Sequence, residues 1–98
     1  MYNQKPDRSL AGIRAELDRV GQVYMLAPSG LGCDLIAFKR GAVIFLEVKN
    51  PEDKNRDVEK LLTARERILK YFCDKFGIDY HVVFTPEQAL TACGWTVE

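Results

Sequence analysis

Long hydrophobic runs are missing from this 98-residue chain. No unbroken apolar stretch exceeds five residues, as in Ala42 to Leu46, whereas a bilayer span needs about 20. That excludes a membrane-spanning helix. An excess of charge of either sign is also missing: 14 basic and 14 acidic side chains cancel. A polycationic nucleic-acid coat is thereby excluded. A local phosphate-binding surface is not, because it needs only a few placed Lys and Arg. Cysteine is scarce: Cys33, Cys73 and Cys93 are odd in number and far apart. They suit a reducing cytoplasm and argue against a disulfide framework. With one histidine, His81, and no C-x-x-C, the sequence does not carry a zinc site. The polar start, Met1 to Asp7, has no apolar core of a secretion signal, so a cytoplasmic location is expected.

The rest of the composition, 47% hydrophobic and 29% charged, is ordinary for a soluble globular protein. There is no repeat, low-complexity tract or linker, so residues 1–98 are expected to form a single domain. At this size folding removes only ~60–70% of the chain's surface from water, and a dimer interface would add to that.

Leu10, Ile13, Leu17 and Val20 recur at helical spacing before Gly21, predicting a helix over about 8–20. Gln22 to Ala27 is a short β-like segment broken by Pro28-Ser29-Gly30. Cys33 to Lys39 and Ala42 to Lys49 are rich in β formers, and Arg40-Gly41 between them signals a hairpin. Asn50 to Leu62 is charged. Thr63-Ala64-Arg65-Glu66 then fits a capping box that opens a helix carrying Ile68, Leu69, Phe72, Cys73 and Phe76. Gly77 and Ile78 are placed to close it. Val58, Leu61 and Leu62 share that stripe, so the helix could also begin near Asp57. Tyr80 to Phe84 reads as a last strand, and Thr85-Pro86-Glu87-Gln88 opens a short final helix. The order α-β-β-β-α-β-α predicts an α/β domain with a mixed sheet flanked by helices.

The hairpin register has chemical consequences. With a loop of two or four residues, paired positions sum to 81, and Asp34 falls opposite Glu47. Directly opposed Cβ atoms lie ~4.5–5.5 Å apart. A bulge would shift this by about one position. Strand alternation adds Lys49 to the same face, which continues as Ile36, Phe38, Val43 and Phe45. Two carboxylates side by side at a half-buried sheet end repel, and a divalent cation removes the repulsion. Mg²⁺ typically takes one or two carboxylates and leaves its other positions to water and substrate phosphate. An ammonium beside it can hold or deprotonate water, which completes the parts needed to hydrolyse a phosphodiester. The plainer reading is a Lys49–Glu47 ion pair, with Asp34 merely ending a turn.

These residues resemble the PD-(D/E)XK nuclease superfamily, and more closely its VRR-NUC family of virus-type replication-repair nucleases. The matching blocks are Ser29-Gly30-Leu31-Gly32-Cys33-Asp34-Leu35-Ile36, Phe45-Leu46-Glu47-Val48-Lys49 and Leu62-Thr63-Ala64-Arg65-Glu66. The likeness covers about residues 8–92. It implies a restriction-endonuclease-like α-β-β-β-α-β core and DNA as substrate. It also implies Mg²⁺ or Mn²⁺ held by Asp34, Glu47 and the Val48 carbonyl, with Lys49 as catalytic lysine. Small stand-alone members are similar to Holliday-junction resolvases, so the resemblance implies branched DNA and a homodimer whose two-fold axis relates two sites.

The chain departs from the family pattern at three places. Cys33 stands where the family has Pro. Glu66 stands where it has Gln, and so either joins the catalytic set or serves only the capping box. The family's acid on the first helix is either Asp7 or Glu16, with a solvated helix-edge charge as the plainer reading of Glu16. Arg65 either points at the sheet end and a phosphate or lays its stem on apolar surface with its head in water. Lys54, Arg56 and Lys60, with Lys39 and Arg40 at the hairpin tip, are candidate DNA contacts. Interleaved Glu52, Asp53, Asp57 and Glu59 equally suit a solvated loop. His81, Tyr24, Trp95 and the cysteines read as packing residues. The rival functions are a non-catalytic DNA-binding or scaffolding module of the same fold, and a small α/β protein whose hairpin acids are surface charges.

Overall fold

The computed structural model describes residues 8–20 and 23–95. Helix α1 spans Arg8–Val20, and strands β1, β2 and β3 span Val23–Leu26, Leu35–Lys39 and Ala42–Val48. A 3₁₀ turn at Pro51–Asp53 leads to the one-turn helix α2, Val58–Leu61. Helix α3, Ala64–Phe76, strand β4, Asp79–Val83, and helix α4, Pro86–Ala92, follow. The four strands form one mixed sheet in the order β1-β2-β3-β4. The first three are antiparallel, and β4 runs parallel to β3 after the α3 crossover. The expected α/β order with a mixed, helix-flanked sheet is therefore present. No helix among the described residues is long and apolar enough to cross a membrane.

Alternation decides which side chains meet. Leu35 and Ala37 of β2 stand beside Ile44, Leu46 and Val48 of β3 and Val83 of β4. Ile13 and Leu17 of α1 and Ala89 and Leu90 of α4 cover them, and Cys93 and Trp95 close the same core. The i, i+4 spacing of Ile13 and Leu17 places both on the inner side of α1, where both are fully buried. Burying an aliphatic side chain of this size stabilises by roughly 1.5–3 kcal/mol, so this layer holds the sheet. The opposite sheet face carries Ile36, Phe45 and Tyr80, and α3 lies on that side with Cys73 buried.

The helix starts follow their local chemistry. Thr63 accepts from the Glu66 N–H, and Glu66 accepts from the Thr63 N–H, the reciprocal pair of a capping box. The capping residue must be extended, and Thr63 is (φ −73°, ψ 171°). This is why α2 and α3 are separate helices: one continuous helix from Asp57 would need Thr63 in helical geometry. Asp57 caps the short α2. The Ile78 N–H reaches the Cys73 carbonyl at 2.8 Å and closes α3 past Gly77. Thr85 accepts from the Gln88 N–H and caps α4.

One glycine fixes how closely α3 approaches the sheet. At Gly32 a Cβ would lie 2.8 Å from the Arg65 carbonyl oxygen and 3.1 Å from Leu69 Cβ, at a φ of +109°. The Gly32 carbonyl also accepts the buried Tyr80 hydroxyl at 2.7 Å. Gly32→Ala should cost on the order of 2–3 kcal/mol through backbone strain and displacement of α3. Thermal unfolding should show a melting point lower by about 10 °C or more; an unchanged one would mean that α3 yields freely.

Candidate active site

The loop Arg40-Gly41 is a two-residue turn, and five β2–β3 pairs from Lys39↔Ala42 to Leu35↔Leu46 keep the sum of 81. At Asp34 the ladder changes. Its N–H donates to the Leu46 carbonyl at 2.9 Å, although Leu46 already partners Leu35. Two residues of one strand thus face one of the other, the count of a β-bulge. Asp34 is consequently not set squarely across from Glu47. Its carboxylate turns along β3, where Oδ2 accepts the Val48 N–H at 2.8 Å. The N–H and C=O of an extended residue point to the same edge, so the Val48 carbonyl also faces the β2 side.

Glu47 is the one buried charged side chain among the described residues, at 4% exposure. Burial first, then the nearby charge of Asp34, pushes its pKa up to about 9. Lys49 Nζ lies 3.2 Å from Glu47 Oε2 and 3.0 Å from Glu66 Oε1. Burial opposes the Lys49 charge, but contacts with Glu66 and Glu47 hold its pKa above the usual lysine value. Burial likewise pushes Glu66 up, yet hydrogen bonds from Thr63, Glu47 and Lys49 keep it below the usual carboxylate range. The two sequence readings of Glu66 are therefore not alternatives. Its Oε1 accepts the Thr63 N–H at 2.9 Å and also receives Lys49. The Lys49–Glu47 contact of the plainer reading exists too, as half of a bridge from one amine to two acidic side chains.

Asp34, Glu47, Glu66, Cys33, Gly30 and Arg65 are among the residues lining one cleft of about 420 Å³. Burial, together with Glu47 and Asp34, pushes the half-buried Cys33 thiol up to about 12, so it lies there as a neutral group. Arg65 points toward the cleft rim, with Nη1 donating to the Gly30 carbonyl at 3.1 Å. Sequence reasoning missed the Tyr80–Gly32 hydrogen bond that steadies the loop before Asp34. Its signal was available, because alternation in the last strand places Tyr80 beside Phe45 on the carboxylate side.

The remaining candidates lie elsewhere. Lys39 and Arg40 sit at the other end of the hairpin, ~17–20 Å from Asp34 at ~3.3 Å per residue. Lys39 Nζ lies against Gly94. Lys54, Arg56 and Lys60 are exposed on the 3₁₀–α2 segment, and Arg56 is 3.5 Å from Asp53. Glu16 pairs with Arg19 at 2.7 Å on the outside of α1. Asp7 lies outside the described residues.

The donors present suit a hard divalent cation. Three acidic side chains line one cleft, one ammonium bridges two of them, and the most buried, Glu47, holds a pKa raised first by its burial and then by the charge of Asp34. Among the described residues, no three His, Cys, Asp or Glu side chains are gathered to hold a metal by themselves. Asp34, Glu47 and the Val48 carbonyl would therefore form a partial shell, with the remaining positions left to water and substrate, as Mg²⁺ accepts.

Between about pH 4.5 and about pH 9 the folded chain keeps the Glu47 proton that the unfolded chain has lost. Its contribution to stability is thus full below that window and is lost as pH rises through it. The metal-free protein should melt lower at about pH 9 than at about pH 6, by on the order of 10–20 °C. Glu47→Gln should flatten that slope in thermal scans; an unaltered slope would assign it to another group. No protein-family model, curated protein or solved structure matches this chain.

Proposed function

We propose that this protein is a Mg²⁺- or Mn²⁺-dependent endodeoxyribonuclease of VRR-NUC type, cutting branched DNA as a homodimer. The observation that carries the reading is the buried Glu47 carboxyl group, which lines one cleft with Asp34 and Glu66 and meets the ammonium of Lys49 that bridges it to Glu66.

Asp34, Glu47 and the Val48 carbonyl would hold the ion. When bound, the ion would polarise the scissile phosphate and ease deprotonation of a water. Asp34 is oriented for this by the Val48 N–H. Lys49 Nζ stands beside Glu47, where it can position the attacking water and offset charge building on the phosphate. Glu66 holds Lys49 in place from the far side, anchored by the first turn of α3. In-line attack would leave a 5′-phosphate, by family analogy.

The same grip favours a second reading. Glu66 occupies Lys49 where the family's Gln carries no charge, as suits a DNA-binding module without catalysis. A Mn²⁺ cleavage assay across linear, nicked, flap and four-way DNA separates the two. Wild type should nick, with branched substrates preferred. Asp34→Asn and Lys49→Ala should each lose at least ~10²-fold in rate while remaining folded at neutral pH. Nicking by Lys49→Ala at the wild-type rate would remove Lys49 from the reaction. Absence of Asp34-dependent Mn²⁺ binding in calorimetry would favour the binding module.

The dimer reading is supported by α3, whose outer side leaves Ile68 58%, Tyr71 59%, Phe72 49% and Phe76 66% exposed. At roughly 150–250 Å² per aromatic residue, this patch is as large as soluble monomers ordinarily leave open. Sedimentation at micromolar concentration should give a dimer, and Phe72→Glu a monomer. A monomeric wild type would count against paired nicking.

A further inference from the structure

Arg65 behaves unlike the other cations near the carboxylates. Among the described residues it is the one positively charged side chain lining the cleft, beside Asp34, Glu47 and Glu66. Yet it forms no ion pair with any of them. Its one hydrogen bond among the described residues goes to a backbone carbonyl, Nη1 to Gly30 at 3.1 Å. A guanidinium carries five N–H donors in a rigid fork. One is engaged, and the residue is exposed to solvent. Gly30 has φ +85°, and a Cβ there would collide with Arg65 Nη1. The neighbouring turn of α3 is held in register by the close approach at Gly32. The guanidinium is therefore tethered to the Gly30 carbonyl with donors to spare, at the edge of a cleft whose other charged lining groups, among the described residues, are acids.

We propose that Arg65, braced by the Gly30 carbonyl, is a phosphate-binding subsite that takes one backbone phosphate of a DNA strand beside the carboxylates. The inference rests on the nuclease reading for the identity of the strand, but its physical basis is separate. A polyanion approaching an acidic cleft is repelled unless a cation receives it, and a planar fork receives a phosphate with two parallel hydrogen bonds. Bracing lowers the conformational entropy lost when that contact forms. Arg65 acts by holding substrate, not by moving protons.

The test is equilibrium binding of a fluorescein-labelled four-way junction and a linear duplex. Salt is varied from about 50 to about 200 mM, with Ca²⁺ fixed and neither Mg²⁺ nor Mn²⁺ present. Losing one phosphate contact should lower the slope of log K against log salt by about 0.9. Arg65→Gln should show that drop, with affinity weaker by ~5–20-fold on both DNAs. Arg65→Lys keeps the charge but not the fork, so it should keep most of the slope and lose ~2–5-fold in affinity. A purely structural clip between the loop and α3 would lower the melting point of Arg65→Gln without changing the slope, and that result overturns the subsite. Wild type that binds with an Arg65-dependent slope but never cleaves in Mn²⁺ keeps the subsite and overturns the nuclease. Wild type that cleaves, with Arg65→Gln unchanged in affinity, slope and KM, overturns the subsite alone. Absence of binding by wild type overturns both.

Discussion

The ammonium of Lys49, suspended between Glu47 and Glu66, is the interaction on which the arrangement turns. Carboxylates this close destabilise a fold unless something intervenes, because burial strips them of water while their charges repel. Burial, and after it the charge of Asp34, outweighs the pull of Lys49, so Glu47 keeps its proton well above the usual carboxylate range. This proton limits the damage when the lysine is absent. Stranding a buried charge ordinarily costs roughly 3–5 kcal/mol, whereas a carboxyl that can stay neutral to about pH 9 is only a buried polar group.

The sheet is unequally dressed. One face is sealed by α1 and α4, with Ile13, Leu17, Leu35 and Leu46 removed from water altogether. The other receives α3 alone, whose contribution to the deep interior is Cys73. Met25, Phe38 and Val43 are left partly in water on β1, β2 and β3, as is the outer stripe of α3. The stability of the domain thus rests on one layer, and the other is freed to build a cleft.

Much of this layout was legible because it depends on local chemistry. Arg40-Gly41 set a register that five residue pairs keep. Thr63 with Glu66, and Thr85 with Gln88, announced their helices through hydrogen bonds that span only three residues. What stayed hidden depends on groups distant in sequence. The bulge at Asp34 answers to the neighbouring strands, since its N–H serves β3 while its carbonyl receives the Ala27 N–H at 3.0 Å. The direction of Arg65 follows from a loop 35 residues away. Helical periodicity places Phe72 and Phe76 on an apolar stripe, but no periodicity tells which side of that stripe a sheet will cover.

A single oxygen, Oε1 of Glu66, fastens the first turn of α3 and also steadies Lys49. Helix ends fray at far lower free energy than whole domains unfold. Each time that turn loosens, the amine loses one of its two tethers while the protein as a whole stays intact. Warming well short of melting should therefore loosen the lysine before it disorders the fold.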